Sequence, residues 1–340
     1  LLDGVEETLG EVAYRVRLRG EGTTGSRQAL VAGQDGRILA DHEMADTVNR
    51  VVYTRLGECL PTQLVWRDVS FPPQQCFAPD GSAHYPGHSF DVIRHLGDVV
   101  GYYEEPPFSR DSWDGCGSPV VAYADEPLRA TGWDPLTGST TPCGVEDGQL
   151  LVQAGDTCLD VIAHEVTHGI NNAAGWGLRS SDAEVGAIDE SIADVFSQLI
   201  ERTRSGSSDW ILAGGPGGVG CDHPYRDLGW RHEDRDPDSG PACDSHLGPF
   251  PDHYSDWHYP GDDPHYVSTV FSTVAYLMAR DPAAPTAVHW GVPVTGVGPG
   301  TTARLWYRLT EAILSDTPDR WEVRRGLRLA SRVLLSGEER

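Results

Sequence analysis

The sequence has no long uninterrupted apolar run and few basic residues. No stretch of about 18 apolar residues occurs, so no membrane-spanning helix is expected. The chain carries 51 acidic against 26 basic residues, a formal net charge of −25. Nucleic-acid binding requires clustered basic side chains and is therefore not expected. A solvated acidic surface is the plainer interpretation of the charge, with a saline habitat or cation binding as alternatives.

The sequence also lacks the closely paired Cys-x-x-Cys motif that builds zinc fingers and redox sites. Its 7 cysteines are scattered along the chain. Scattered cysteines are typical of disulfides formed in an oxidising compartment, and an odd number leaves at least one thiol unpaired. We therefore expect a secreted, extracellular protein. The start at Leu1 has neither a basic nor an apolar leader region, so we expect that any signal peptide has been removed.

Residue patterns divide the 340 residues into three parts. Residues 1–45 contain alternating apolar positions and an Asp-Gly turn, which together indicate strands and a hairpin. Residues 46–155 contain short strand-like runs among Pro, Gly and aromatic residues, with helical spacing from Phe90 to Tyr103. Residues 156–340 contain apolar stripes of helical period. The sequence thus predicts an α+β protein with a strand-rich first half and a helical second half.

The segment His164-Glu165-Val166-Thr167-His168 lies on an expected amphipathic helix. Two histidines four residues apart project from one helix face on consecutive turns, so both imidazoles can bind one ion. The intervening Glu165 lies close enough to activate a water molecule at that ion. Zinc suits this ligand set. The alternative is a surface helix with two solvated histidines; it is disfavoured because the apolar stripe is offset from the histidine face.

A catalytic zinc requires a third protein ligand and one open position. Glu190 and Asp194 lie four residues apart on the next expected helix, so their carboxylates face the same way. A metal-bound imidazole usually donates its other N–H to a carboxylate. We therefore expect Glu190 to bind zinc and Asp194 to orient a histidine. Without the first helix, two exposed helix carboxylates would be the preferred interpretation.

Beyond the zinc motif, the sequence resembles the thermolysin-like zinc peptidases. Asp160 to Gly169 and Gly186 to Phe196 are similar to the two zinc-binding segments of that family. Pro251 to Ser255, followed by His265, resembles a third signature. The resemblance covers about residues 50 to 335.

The resemblance implies a two-lobed α+β endopeptidase. Its strand-rich lobe would span residues 46–155, its helical lobe residues 156–340, and zinc would lie in the cleft between them. Residues 1–45 resemble the end of a PepSY-type propeptide, which implies that the chain retains part of its own propeptide. The implied protein is a monomer that cleaves protein or peptide substrates beside bulky apolar residues.

Roles for individual residues are also implied by the resemblance. Glu165 would be the general base, and His265 would stabilise the oxyanion that forms on the attacked carbonyl. Val161 matches a position of the family's apolar specificity pocket, although core packing explains it equally well. A substrate-binding arginine is expected after residue 225, where both Arg226 and Arg231 qualify; Arg231 is taken provisionally.

The resemblance implies one calcium ion as well. Asp160, Glu201 and Asp209 match family ligands, and carboxylate oxygens suit this cation. Two later acidic positions of the family are Ile211 and Gly214 here, which argues against a second ion. An exposed acidic helix end is the alternative interpretation.

Two departures from the family pattern concern activity. Residues 169–189 contain no Tyr and only Trp176 as an aromatic, although the family has a catalytic Tyr there. The substrate-aligning edge reads Ala130-Thr131-Gly132-Trp133 and lacks the family's Asn, yet an edge strand can still bind extended peptide through its main chain. Altered activity is therefore expected. The rival hypotheses are a non-catalytic zinc-binding homologue, disfavoured by Glu165, and a zinc exopeptidase or deacylase, for which no terminus-binding pocket is evident.

Overall fold

The computed structural model describes 17 segments of the chain. They are residues 2–8, 11–19, 25–32, 38–45, 50–54, 63–67, 76–77, 83–84, 87–124, 131–141, 144, 146–153, 155–177, 182–213, 225–229, 251–256 and 263–335.

The first four strands form one antiparallel sheet in chain order. They are β1 (Leu2–Thr8), β2 (Glu11–Arg19), β3 (Gly25–Ala32) and β4 (Ile38–Ala45). Pairing of β3 with β4 in antiparallel register confirms the hairpin expected around the Asp-Gly turn.

A second, mixed sheet lies in the following part of the chain. Its five strands are β5 (Arg50–Thr54), β6 (Gln63–Arg67), β9 (Val120–Ala124), β10 (Gly132–Thr140) and β11 (Glu146–Val152); between them in sequence come the short pair β7 (Cys76–Phe77) and β8 (Ala83–His84) and helix α1 (Gly87–Glu104). The strand order is β10-β11-β9-β5-β6, with β5, β9 and β11 parallel and the outer strands antiparallel to their neighbours. Among the described strands, β10 is therefore an edge strand.

Helices dominate the chain after β11. They are α2 (Leu159–Ala173), α3 (Ala183–Ser205), α4 (Pro264–Val267), α5 (Thr269–Ala279), α6 (Pro299–Ala312) and α7 (Arg320–Leu335), with two short strand pairs, β12 (Ile211–Leu212) with β13 (Arg226–Asp227) and β14 (Ala287–His289) with β15 (Val292–Val294). The α+β prediction is confirmed, and so is the helix expected from Phe90 to Tyr103. None of the described helices is long and apolar enough to cross a membrane.

The longest helix, α3, has clear signals at both ends. Its N-cap residue is Asp182, whose side chain accepts a hydrogen bond from the Glu184 amide. At the other end Gly206 adopts a left-handed φ of 85°, a conformation that costs glycine little. Between these caps, α3 is buried along most of its length, so its ligand-bearing side chains are fixed by surrounding packing.

Aromatic packing joins α1, α3 and α6 into one core. The ring of Tyr103 lies 5.5 Å from that of Phe196 and 6.3 Å from that of Tyr307. The Tyr103 hydroxyl is also 2.9 Å from the hydroxyl of Thr167 on α2. Burying aromatic side chains is a main source of core stability, and here Tyr103 packs α1 against both α2 and α3. The side chains of Cys116 and Cys158 are each disulfide-bonded, as expected of cysteines in an oxidising compartment.

Candidate metal centre

Two histidines on α2 and one glutamate on α3 converge in a buried space between the helices. The Nε2 atoms of His164 and His168 are 3.1 Å apart. Glu190 reaches both, with Oε2 3.3 Å from His164 Nε2 and Oε1 3.4 Å from His168 Nε2. One donor atom from each residue lies within 4.8 Å of the others, and no other such group of His, Cys, Asp or Glu occurs in the described segments. The sequence-predicted zinc ligands are thus brought together.

Each histidine has a carboxylate behind it. Asp194 Oδ1 lies 3.1 Å from His164 Nδ1, and Asp189 Oδ2 lies 3.1 Å from His168 Nδ1. Neither contact is aligned as a linear hydrogen bond, so both are close electrostatic pairs. Asp189 also accepts a 2.6 Å hydrogen bond from Asn171. Sequence reasoning found Asp194 and missed Asp189. Asp189 could have been found from the sequence, because the second metal-binding imidazole also needs a carboxylate to accept its other N–H.

Arg226 lies directly against the metal ligands. Its Nη2 donates to Glu190 Oε2 at 2.8 Å and to Asp194 Oδ1 at 2.7 Å, and its Nε donates to both Asp194 oxygens at 3.1 Å. The side chain is buried. Of the two arginines considered from sequence, Arg226 therefore lies at the site, while the provisionally chosen Arg231 falls outside the described residues.

The electrostatics of the site favour bound positive charge. Burial alone would lower the pKa of His164, but the Asp194 and Glu190 carboxylates outweigh it and raise the pKa to about 9. Burial opposes the charge of His168 too, yet Asp189 and Glu190 raise its pKa well above the usual value. The same histidines hold the pKa of Glu190 well below its usual value despite its burial. A divalent cation would satisfy these carboxylates while leaving both imidazoles neutral, so the donor set fits zinc.

Glu165 lies next to this group and contacts the edge strand. Its Oε2 accepts a 3.1 Å hydrogen bond from the backbone N–H of Trp133, near the start of β10. The Trp133 ring packs over Gly169 on α2, where an added Cβ would lie 2.7 Å from ring atoms. Only glycine fits there without displacing the ring. The strand edge and the helix that carries Glu165 are consequently held in one arrangement.

His265, at the start of α4, reaches the centre from another side. Its Nε2 lies 3.4 Å from Glu190 Oε1, and its Nδ1 is hydrogen-bonded to Asp263 Oδ1 at 2.7 Å. Although burial opposes it, this contact lowers the pKa of Asp263 below the usual value. The His265 side chain is 60% exposed, so it borders the metal group while remaining open to an incoming ligand.

The three expected calcium ligands lie at the other end of α2 and α3. Asp160 is buried and accepts hydrogen bonds from the amides of Val161 and Ala213 at 2.9 and 2.6 Å. Burial, followed by the charges of Asp160 and Asp209, raises the pKa of Glu201 to about 8. One Glu201 oxygen is buried without a hydrogen-bond partner among the described residues. The three carboxylates influence one another but do not meet the close spacing of the zinc group.

Two further expectations concern apolar and aromatic residues. Val161 is 1% exposed, so its side chain belongs to the packed interior. Trp176 is also buried and donates its indole N–H to the Thr310 carbonyl at 3.3 Å. Trp176 therefore serves the core and does not replace the catalytic tyrosine that the resemblance implies.

The metallopeptidase class with a His-Glu-x-x-His motif is defined by a two-lobed α+β fold, two histidines one helical turn apart, a glutamate from the next helix and a neighbouring glutamate outside the ligand group. Residues 180–336 match the family model "Thermolysin metallopeptidase, alpha-helical domain". The chain is therefore similar to the thermolysin-like metallopeptidases, through its helical domain in the family model and over a longer range in individual relatives.

Individual relatives agree with this assignment. The chain is 27% identical over 310 residues to Neutral protease B of Bacillus subtilis (strain 168), which covers 88% of this chain and 51% of that protein. It is 28% identical over 268 residues to Thermolysin of Bacillus sp. (strain EA1), covering 76% and 42% respectively. The chain thus spans about half the length of these relatives or less. The fold is similar to the precursor of protealysin, a metalloproteinase from Serratia proteamaculans, with a TM-score of 0.56 at 18% identity over 84% of this chain and 82% of that one.

Proposed function

We propose that the chain is a secreted zinc endopeptidase that hydrolyses peptide bonds in protein or peptide substrates. The observation that carries this proposal is the buried group of His164, His168 and Glu190 beside Glu165. A purely structural zinc site has no use for such a base. The relatives named as neutral protease and thermolysin support the same activity. The disulfide-bonded Cys116 and Cys158 support secretion, because disulfides persist in oxidising compartments.

The residues of the site divide the work of hydrolysis. Zinc held by His164, His168 and Glu190 would act as a Lewis acid toward water and the peptide carbonyl. Glu165, with Oε2 engaged by the Trp133 amide, has Oε1 left to accept a proton from the attacking water. The partly exposed His265 donates a hydrogen bond to the developing oxyanion.

Substrate binding is proposed to use the edge strand. The free edge of β10 can pair with an extended peptide through main-chain hydrogen bonds. This would bring a peptide past the Trp133 amide and hence next to Glu165. Arg226 is held by the Glu190 and Asp194 carboxylates, and we propose that it also contacts a substrate carbonyl.

The test of this function is casein digestion by the purified protein with a zinc chelator. We expect casein hydrolysis, its loss on chelation and its recovery on adding zinc, because the metal holds the reacting groups. Cleavage that persists at zero bound zinc would exclude the mechanism. A zinc-loaded but inert protein would favour the rival, a zinc-binding homologue that acts as a protein-binding module. The buried Trp176 and missing loop tyrosine are the observations in its favour.

The N-terminal sheet is proposed to be the remnant of a propeptide. Residues 1–45 would form this remnant, 46–155 the strand-rich lobe and 156–340 the helical lobe of a monomeric peptidase. The pairing of β1 to β4 into a sheet of their own supports the first boundary, and the similarity of the fold to that of a solved precursor supports the presence of a remnant. The propeptide would be a partner in cis until it is removed.

We further propose one calcium ion at Asp160, Glu201 and Asp209. In the metal-free protein the raised pKa of Glu201 contributes stability that is fully present below its ordinary value of 4.5 and is lost as pH rises through about 8. The raised pKa of Asp160 contributes stability in the same way, and this contribution is lost as pH rises through about 6. Calcium binds the ionised carboxylates. Added calcium should therefore raise the melting temperature strongly at pH 8 and little at pH 5.

Thermal melts with and without calcium across this pH range provide the measurement. The variant Glu201→Gln should lose both the calcium response and most of the decline with pH. An equal calcium response at pH 5 and pH 8 would contradict the assignment of these carboxylates.

A further inference from the structure

The side chain of Tyr225 has no part in the mechanism above. It is 41% exposed, its hydroxyl donates a hydrogen bond to Asp156 Oδ1, and its amide donates to the Leu212 carbonyl at 2.8 Å. The next residue along the chain is Arg226, which contacts Glu190 directly. Tyr225 is therefore fixed in position at the border of the site while its ring still meets solvent.

Asp156 connects Tyr225 to the edge strand. Its second oxygen, Oδ2, accepts a 2.6 Å hydrogen bond from the Thr131 hydroxyl. Thr131 directly precedes β10, and two residues later the Trp133 amide holds Glu165. A continuous path of contacts thus runs from the general base, along the strand start, through Asp156 to Tyr225. Tyr225 lies close enough to Glu165 for the charge of that carboxylate to act on its hydroxyl, and we call Asp156 and Tyr225 together the side wall.

The charge of the side wall is not neutralised within the described residues. No Arg or His of those segments forms an ion pair with Asp156. The guanidinium that follows Tyr225 in sequence, Arg226, is already shared between Glu190 and Asp194. Burial first, and then Asp156, raise the pKa of the Tyr225 hydroxyl, and the charge of Glu165 adds to this. The phenol therefore stays neutral and keeps donating its hydrogen bond to Asp156.

We propose that Asp156, oriented by Tyr225 and Thr131, is a specificity-determining residue that selects substrates with a basic side chain, Arg or Lys, flanking the scissile bond. A peptide paired with the start of β10 passes Thr131 and Trp133, so a side chain flanking the bond attacked near Glu165 faces Asp156. This proposal rests on the proposed peptidase function. It differs from the apolar preference implied at Val161, whose side chain is buried.

The test compares three fluorogenic peptides that differ only in the residues flanking the cleaved bond, with Arg, Leu or Glu in turn. The wild type should give the highest kcat/KM with Arg and the lowest with Glu. The near-isosteric Asp156→Asn removes the charge and can still accept hydrogen bonds. It should lower kcat/KM for the Arg peptide about ten- to a hundredfold, the usual range for one charge-assisted hydrogen bond. The Leu peptide should be almost unaffected.

Three matched variants separate specificity from structure. Asp147→Asn removes a carboxylate that also accepts two hydrogen bonds, from Gly148 and Ser139, at the far end of the β10–β11 pair, and should change nothing. Asp156→Glu keeps the charge and should retain the Arg preference. Tyr225→Phe keeps the ring but frees Asp156 from one contact, and should weaken that preference less than Asp156→Asn does.

Two results would overturn the proposal. The first is a wild type that cleaves the Leu peptide at least as well as the Arg peptide. The second is an Asp156→Asn variant that loses all peptides in equal measure, since a merely structural role would give that pattern. Failure of the proposed function itself looks different: none of the peptides and no casein is cleaved by a zinc-loaded wild type.

Discussion

Replacing Glu165 by Gln should reduce kcat for casein or peptide by about 10²–10⁴-fold, the usual contribution of a positioned general base. An amide cannot accept a proton from water, yet its oxygen can still accept the Trp133 N–H at the present position. Fold and strand contact should therefore persist. Zinc content should also persist, because Glu165 does not belong to the three-donor group.

The measurement is kcat together with zinc content by elemental analysis. Glu105→Gln is the matched control: this carboxylate is 57% exposed and pairs with Arg204 on the surface, so activity should be unchanged. Full activity of Glu165→Gln would remove Glu165 from the mechanism. Loss of zinc from it would mean that the ligand set is misassigned.

Replacing Asp194 by Asn should be the most destabilising single change at the site. Asp194 is fully buried, pairs with Arg226 through both oxygens and lies 3.1 Å from His164 Nδ1. Removing one partner of a buried ion pair typically costs about 3–5 kcal/mol. Zinc affinity should fall about 10–100-fold, as for other residues that orient a metal-bound histidine. Urea denaturation and zinc titration measure the two effects.

Asp189→Asn provides the internal comparison for Asp194. Asp189 is buried to the same degree and also faces a histidine, but its other contact is the neutral Asn171. We expect a similar loss of zinc affinity and a smaller loss of stability, about 1–3 kcal/mol. Equal losses of stability in the two variants would show that the ion pair between Asp194 and Arg226 does not stabilise the protein more than the hydrogen bond between Asp189 and Asn171.

Much of the metal centre could be predicted from the sequence because it rests on local periodicity. Two histidines four residues apart, and two carboxylates four residues apart, determine which side chains share a helix face before any packing is known. The same reasoning predicted helix α1 and the hairpin of β3 and β4. Adjacent residues are harder: Asp189 and Glu190 differ by about 100° around the helix axis, and only the position of α2 shows that both face it.

Contacts between distant segments could not be predicted. Arg226 lies 32 residues from Asp194 and 62 from His164, and it lies outside the two helices whose periodicity indicated the metal ligands. The choice between Arg226 and Arg231 therefore stayed open until the chain was folded. Asp156 and Tyr225 are 69 residues apart and carry no motif. Val161 could not be assigned for another reason: a residue of an apolar pocket and a residue of the apolar core give the same sequence pattern.

The packing of Trp133 on Gly169 limits how this protein can be altered. The indole bridges the strand that would guide a peptide and the helix that carries the general base, so a side chain at position 169 would move both together. Changes in substrate choice are better made at side chains that border the site but do not contact Trp133 or Gly169. A redesign that treats recognition and catalysis as separable modules should begin from residues such as Tyr225, and leave the tryptophan and its glycine unchanged.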